Sequence, residues 1–548
     1  MNSTEPVHGG VHAFEVARSH GIEHLFTLSG AHVFPIYDGA VKAEPPMPIV
    51  DVRHEQTAVF AAEAIGKLTR KPGLAVLTAG PGITNGISAI TQAQWSGAPL
   101  VVLGGRAPAN RWGTGALQEL DHPPILEIVT KYSKTANTVN DIVPVLDGAF
   151  RAASSPHRGS AFVDIPMDEF FNSAPLPALS KYAYSPQEPD SADIKKIAAL
   201  IAEAKHPVIV LGSDVWAGNA EAAALRFVSE LRIPAMPNGM GRGVIPGGHE
   251  LLVTKARSKA LNEADLVIVV GAPLDFRLGY GVFGGKDGAT PAKVVHIADA
   301  ADQVSTHAQL AGSAFGDLTL IFDQLLAAMS SRPDYASWVQ SLGATVKETN
   351  ARDADLLKST SDPIHPARIY GELLPRLADD AVIIGDGGDF VSFAGKFVEP
   401  TKPGNWLDPG PYGCLGAGLG AAIAARIARP SSQVVVLFGD GAVGMSLIDV
   451  DTLVRHKLPV VMIVGNNSAW GLEKGPMQWI YGYDVAADLA QQTRYDEVVR
   501  ALGGAGELVT KPEDIGPAID RAFAANVPYL INVITDVNAA YPRQTTGI

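Results

Sequence analysis

Two acids stand where a chain can do chemistry. Asp440 lies in Phe438-Gly439-Asp440-Gly441-Ala442, at the end of the apolar run VVVLFG, and Asn466-Asn467 closes the next apolar run, LPVVMIVG. Asp440 and Asn467 are 27 positions apart, about one strand–helix–strand unit. Adjacent parallel strands bring such ends together and offer a carboxylate and an amide oxygen to a hard cation. Mg2+ takes few protein carboxylates and completes its shell with phosphate oxygens and water. The glycines let backbone approach a phosphate, and the N-terminus of a following helix favours an anion. The second acid, Glu55, is delivered by the strand pattern PIVDV into the Ala-rich run EQTAVFAAEAIGKLT. A carboxylate among apolar and small side chains keeps its proton or needs a specific hydrogen-bond donor. Alone, Gly-Asp-Gly is a turn and Glu55 serves a helix dipole; the spacing to Asn-Asn is what makes the signal strong.

The elements that must position these residues follow from apolar patterning. At 548 residues the chain exceeds a single core, and about two to four domains are expected. Three blocks alternate short apolar strands with helical patterns, the mark of parallel α/β sheets. The first holds strands over 24–28, 48–52, 73–79, 99–105 and 161–166. The second holds 207–213, 264–272 and 293–299, and the third 380–388, 433–441, 458–467 and 528–536. The Pro-rich stretch 172–193 reads as a linker. Runs such as VVVLFG are apolar throughout rather than alternating, so helices cover both sheet faces, and ligands belong at the carboxyl ends of the strands. The expected architecture is α/β, three doubly wound parallel-sheet domains over 1–175, 190–345 and 360–548.

Bulk numbers narrow the function. A net charge of −14 without a basic run argues against nucleic acid and against an electrostatic membrane anchor. No apolar run is long enough to span a bilayer. The lone Cys414 fits a reducing compartment, the first residues carry no leader pattern, and the last three are not a peroxisomal address. A cytoplasmic protein is expected.

The Gly-Asp-Gly…Asn-Asn pattern resembles the diphosphate–magnesium motif of thiamine-diphosphate-dependent enzymes, and the likeness extends over nearly the whole chain. It implies the fold of that family: a pyrimidine-binding domain, a central domain and a diphosphate-binding domain. By this resemblance Asp440, Asn467 and the carbonyl of Ala469 would hold Mg2+, with Gly441 and Ala442 at the diphosphate and Trp470 beside it. Glu55 would accept a hydrogen bond from N1′ of the aminopyrimidine and so favour the tautomer that deprotonates thiazolium C2. Thr78-Ala79-Gly80-Pro81-Gly82-Ile83-Thr84-Asn85 resembles the family's turn at the pyrimidine ring, which brings in Gly80 and Asn85. GALQELD (115–121) would put Gln118 near the cofactor. In PYGCLGAGLGAA (411–422), Gly413 would offer its carbonyl to N4′ and Leu415 would prop the cofactor into its bent shape.

For the reaction, LSGAHVFPIYDG (28–39), NGMGRGVIPGGH (238–249), APLDFRLGYG (272–281), LEKGPMQWIYGY (472–483), TRYDEVVRALGG (493–504) and AAYPRQ (539–544) resemble 2-hydroxyacyl-CoA lyases and oxalyl-CoA decarboxylases. The implied chemistry is cleavage of a 2-hydroxyacyl-CoA to formyl-CoA and an aldehyde or ketone, reversible as an acyloin-type condensation. An acetolactate-synthase-like carboligase acting on 2-oxo acids is the alternative. An oxalyl-type decarboxylase is weakened by Ser468-Ala469-Trp470, and a catalytically silent relative by the presence of Glu55, Asp440 and Asn467. His32, Gln118 and Asp488 are the candidates for handling the substrate hydroxyl, with Gln492 in the same covering segment as Asp488. The oxalyl enzymes' paired basic residues are replaced here by Gly404-Asn405-Trp406-Leu407-Asp408. Recognition of CoA then falls to Arg242, Arg277, Lys402, Tyr541 and Arg543, with Asp299 marking a possible ADP or CoA site in the central domain. The family's cofactor bridges two chains, so a homodimer or homotetramer with thiamine diphosphate and Mg2+ at the subunit interface is expected. The tail from Ala539 onward is expected to close as a lid.

Overall fold

The computed structural model describes residues 5–179, 182, 184–285 and 290–541. Three parallel sheets organise the chain, two of six strands and one of five. In spatial order the first comprises Ile49–Asp51, Leu25–Thr27, Gly73–Leu77, Leu100–Arg106, Ser160–Pro166 and Tyr132–Thr135. The third comprises Trp406–Leu407, Val382–Asp386, Val434–Gly439, Val461–Asn466, Tyr529–Ile534 and Ala505–Val509. Numbered along the chain, both have the order 2-1-3-4-6-5, so each has one point where neighbouring strands lead in opposite directions. The central sheet runs Ala235–Pro237, Pro207–Leu211, Leu266–Val270, Lys293–Ala298 and Gly312–Phe315. These are three doubly wound α/β units, the fold of thiamine-diphosphate enzymes. A small antiparallel pair, Pro6–His8 with Ser173–Pro175, ties the start of the first unit to its end.

Strand interiors are buried as their composition requires: every residue of Ser160–Pro166 and of Val461–Asn466 is out of solvent. The apolar pattern did not announce the pair Pro6–His8 and Ser173–Pro175, the latter inside the expected linker 172–193, nor, in the three parallel sheets, Tyr132–Thr135, Ala235–Pro237, Gly312–Phe315, Trp406–Leu407 and Ala505–Val509. The last five are all edge strands, flanked on one side only, and none carries a long apolar run. The expected boundary at 345 falls inside helix Ala336–Leu357. That helix spans the junction: Trp338 Nε1 donates to Pro207 O (3.1 Å) and Lys255 Nζ to Asn350 Oδ1 (2.6 Å) within the central unit, while Asp353 accepts from Lys396 Nζ (2.7 Å) of the third.

The first and third units share one core, running from Phe26 and Phe60 to Val436 and Phe438. Its seam is helix Glu55–Thr69 against helix Gly418–Ala428. A Cβ on Gly420 would lie 2.6 Å from Phe60 Cβ and 2.9 Å from Thr57 O, so only glycine permits this approach. Buried Asp449 closes the seam, accepting from Thr57 Oγ1 (2.6 Å) and Arg53 N (2.7 Å). The central unit has its own core and is pinned by Trp216. Trp216 Nε1 donates to Lys67 O (2.7 Å), Arg70 stacks over its ring at 3.5 Å, and Gly404 lies against its far edge. Among the described residues no helix is long and apolar enough to cross a membrane.

Gly420→Ala should therefore weaken the seam of the first and third units. A forced methyl in a packed core costs about 1–3 kcal/mol. Denaturant unfolding of the variant should show that loss; unchanged stability would mean the seam relaxes freely.

Candidate active site

Each six-stranded sheet places its chemistry at the point where strand order reverses. In the third sheet this lies between Val382–Asp386 and Val434–Gly439. A Cβ on Gly387 would come 2.7 Å from Gly439 N, so the two strand ends meet through glycine alone. Helix Asp440–Ser446 starts there. Asp440 is 3% exposed, and among the described residues its carboxylate meets only backbone N–H groups: Gly441 N at 2.9 Å and Ala469 N at 3.3 Å. The Asn467 side-chain oxygen accepts from the same Ala469 N–H at 3.1 Å, which brings the two oxygens side by side. Burial pushes the Asp440 carboxyl up to about 6, against the backbone N–H bonds that lower it. A carboxylate and an amide oxygen in this state are hard donors that fit Mg2+.

A cavity of about 500 Å³ opens over these groups. Gly441, Ala442, Asn467, Ala469, Trp470, Gly413 and Leu415 all line it, as the sequence placed them. The Trp470 ring lies 2.4 Å from where a Cβ on Gly441 would be, which explains glycine at that position. One supporting residue escaped the sequence reading. Asp386, fully buried, accepts from Gly416 N (3.0 Å) and Gly418 N (2.7 Å) and so holds the loop carrying Gly413 and Leu415. Burial raises its carboxyl to about 6 despite those bonds. Its signal was an acid at a strand end, IIGDGG, the same kind that marked Asp440.

The first sheet makes the other half-site, between Leu25–Thr27 and Gly73–Leu77. Gly30 packs against Thr78 there; a Cβ would lie 2.3 Å from Thr78 Cβ. Glu55 is buried at its helix N-terminus, and Asn85 Nδ2 donates to its Oε2 at 3.0 Å. Gly82 lets the turn close on Thr78: a Cβ there would come 2.7 Å from Thr78 Cγ2 and 3.9 Å from Glu55 Oε1. Gly80 has φ +58°, and Gln118, itself at φ +60°, packs directly on it. His32 Nδ1 is 3.0 Å from Thr78 Oγ1, and burial holds its imidazole below the ordinary value. Glu55, Asn85, Gly80, Gln118 and His32 therefore gather at one switch point. None of them lines the cavity around Asp440, so one chain presents two half-sites.

The expected substrate contacts divide. Arg277 lines the Asp440 cavity but is paired with Asp275 (2.7 Å). Arg242 also lines it, yet its guanidinium is stacked on Trp406 at 4.6 Å and donates to Gly395 O at 2.9 Å. It is spent on joining the central and third units. Asp488 pairs with Lys474 at 2.8 Å and faces solvent, because the bridge between Ala469 and Asp488 turns its side chain outward; it does not reach the cavity. Asp299 is turned toward the first unit, 3.1 Å from His157 Nδ1. Burial would lower that imidazole, but Asp214 and Asp299 outweigh it and hold His157 up at about 9. Asp299 is thereby engaged in an ion cluster rather than open to a nucleotide. Tyr541 docks edge-on against Phe393 at 5.1 Å, next to the helix that begins at Asp389. Arg543 and the rest of the expected lid lie outside the described residues.

Asp440→Ala should abolish divalent-cation binding at this cavity, since Asn467 and the Ala469 carbonyl would then offer only neutral oxygens. Cation affinity of the unmodified protein should also fall as pH drops through about 6, where a proton competes for the Asp440 carboxylate. Calorimetric titration with Mg2+ and thiamine diphosphate checks both; unchanged affinity in the variant would reduce the motif to a turn.

Comparison with known proteins agrees with this geometry. Residues 7–125 match the N-terminal TPP binding domain of thiamine pyrophosphate enzymes, 194–325 their central domain and 386–533 their C-terminal TPP binding domain. The chain is 48% identical over 549 residues to the acetolactate synthase large subunit IlvG of Mycobacterium tuberculosis, covering 99% of this chain and 98% of the relative. It is 35% identical to 2-hydroxyacyl-CoA lyase 2 of Caenorhabditis elegans, covering 94% and 87%. Human 2-hydroxyacyl-CoA lyase 2 is 32% identical, covering 92% and 86%. With two glycine-built switch points, each carrying a buried acid, Glu55 at one and Asp440 at the other, and all three domain models matched in order, the chain belongs to the thiamine-diphosphate-dependent enzymes.

Proposed function

We propose that this protein is a lyase that cleaves 2-hydroxyacyl-CoA to formyl-CoA and an aldehyde or ketone, working with Mg2+ and thiamine diphosphate. The observation that carries the reading is a shared wall. A second cavity, about 460 Å³, lies at the central unit's switch point, and Phe276, Arg277, Asp408 and Gly410 line both it and the Asp440 cavity. A substrate with its reacting end at one cavity and a nucleotide-bearing arm in the other fits such a pair. When bound, thiamine diphosphate supplies a carbon nucleophile at C2 of its thiazolium ring. Asp440, Asn467 and the Ala469 carbonyl would hold Mg2+ against its diphosphate, and the helix N-terminus at Asp440–Ala442 would face the phosphate oxygens. Leu415 and Trp470 form apolar cover that excludes water. Glu55 would hold the pyrimidine N1′ proton, and His32 is the polar side chain placed to meet a substrate hydroxyl.

The separation of the half-sites in one chain leads to a second copy. Large apolar side chains near both half-sites are exposed, among them Leu117 at 77%, Met445 at 57% and Ile448 at 50%. Burying them against a second chain would join one chain's Glu55 to the partner's cavity. A second reading, acetolactate synthesis from 2-oxo acids, is favoured by the 48% identity to a protein of that name.

A panel of 2-hydroxyacyl-CoA thioesters set against pyruvate, read by mass spectrometry, separates the two reactions. Formyl-CoA from the thioesters is expected; acetolactate with no thioester cleavage would select the second reading. Glu55→Gln should slow proton exchange at C2 of bound cofactor by about 10²–10⁴-fold, the usual contribution of a positioned acid or base. Exchange at the unmodified rate would remove Glu55 from the chemistry. Sedimentation should show at least a dimer, and a fully active monomer would refute the composite site.

A further inference from the structure

The Glu55 half-site rests on a residue that takes no part in the motifs. His122 is fully buried, in the first unit, and edge-on to Phe162. Its Nε2 lies 3.0 Å from the backbone N of Gly80, and its Nδ1 lies 2.9 Å from Asp164 Oδ2. Asp164 is also fully buried, on strand Ser160–Pro166, and its surroundings leave no freedom in its role. Arg106 Nη1 donates to Oδ2 at 3.0 Å and Thr135 Oγ1 to Oδ1 at 2.6 Å. With Arg106 and Thr135 both donating to it, the Asp164 carboxylate is the acceptor of this cluster. The Gly80 N–H can only donate. The imidazole between them has one arrangement that satisfies both neighbours: a proton on Nδ1, given to Asp164, and a lone pair on Nε2, turned to Gly80. An imidazolium, or the other tautomer, would set N–H against N–H in a dry site, at the cost of a buried donor without an acceptor.

What this bond holds is the turn that faces Glu55. Gly80 sits at φ +58°, ψ −113°, a conformation open to glycine, and its carbonyl accepts from Ile83 N (3.0 Å) and Thr84 N (3.1 Å). Asn85 N then closes on Pro81 O at 2.9 Å, and the Asn85 amide reaches Glu55 at 3.0 Å. Gln118, four residues before His122, packs on Gly80 and is carried by the same segment. We propose that His122, locked by Asp164 as the neutral Nδ1–H tautomer, is the positioning residue of the Glu55 half-site: it fixes the Gly80–Asn85 turn, and through it the amide that aims Glu55. The role is the same for any acyl donor, because it concerns Glu55 and not the substrate.

Two measurements test it on the full chain. In protein labelled with [15N]histidine, the resonances that vanish in His122→Gln should report, in the unmodified protein, a neutral ring protonated on Nδ1, with and without thiamine diphosphate and Mg2+. An imidazolium or an Nε2–H ring would overturn the assignment. The second measurement is proton exchange at C2 of bound cofactor at saturation. His122→Leu, which has no acceptor for Gly80, should exchange roughly 10–100-fold more slowly, as loss of a partner that orients a working group generally does. His122→Gln, whose amide keeps one acceptor and one donor, should recover most of the rate. Purely structural damage would instead weaken cofactor binding and leave the two variants alike. Exchange in His122→Leu at the unmodified rate, or no recovery in His122→Gln, would refute the role; if the leucine variant does not fold, the tautomer in the unmodified protein still decides.

Discussion

The close approach of helix Glu55–Thr69 to helix Gly418–Ala428 is the constraint on which the rest depends. Both helices begin at chemistry: one starts with Glu55, the other follows the loop of Gly413 and Leu415. Because Gly420 has no side chain, Phe60 and Thr57 enter the space where one would be, and the two units share a core rather than touching at a surface. Hydrogen bonds at the margin, from Arg53 and Thr57 to buried Asp449, set the register of the seam. Neither helix can shift without moving a half-site. Precision in a catalytic site needs this kind of rigid support, since small misplacements cost large factors in rate.

Four buried carboxylates show how one kind of group is given different work by its neighbours. Asp386 has two backbone N–H donors and no opening to a ligand-free role beyond them; it holds a loop. Asp440 also meets only backbone donors, yet it faces the cavity, so its charge is left for a cation. Glu55, among the described residues, has an amide donor at Oε2, while Oε1 lies beside Gly82. Asp164, by contrast, is saturated by Arg106, Thr135 and His122 and acts only on position.

The central unit contributes a wall rather than a reacting group. Phe276 and Arg277 stand between two cavities, in a segment whose backbone turns through left-handed Gly279 and Tyr280. Arg277 is held by Asp275, and Arg257 donates to its carbonyl at 2.7 Å, so the wall is braced from within its own unit. Arg242 is braced from the third unit. The cations near the site thus serve structure first: Arg277 stiffens the wall, and Arg242 ties the central unit to the third.

By itself the sequence determined the three parallel units, the identity of Asp440, Asn467 and Glu55, and the glycines beside them. The reason is local: a strand buried on both faces must be apolar throughout, and a glycine or acid at its end stands out against that background. Edge strands such as Gly312–Phe315 and Ala505–Val509 were illegible because one flank is open and no continuous apolar run is required. Only tertiary structure decided which charged residues were free. Asp488, Asp299 and Arg242 have the right chemistry for a site, but Lys474, His157 and Trp406 claim them, and those partners lie 14, 142 and 164 positions away in sequence. His122 shows the converse. Its partners Gly80 and Asp164 are each 42 positions off, on opposite sides in sequence, so nothing local marks it, and only the folded sheet brings donor, imidazole and carboxylate into line.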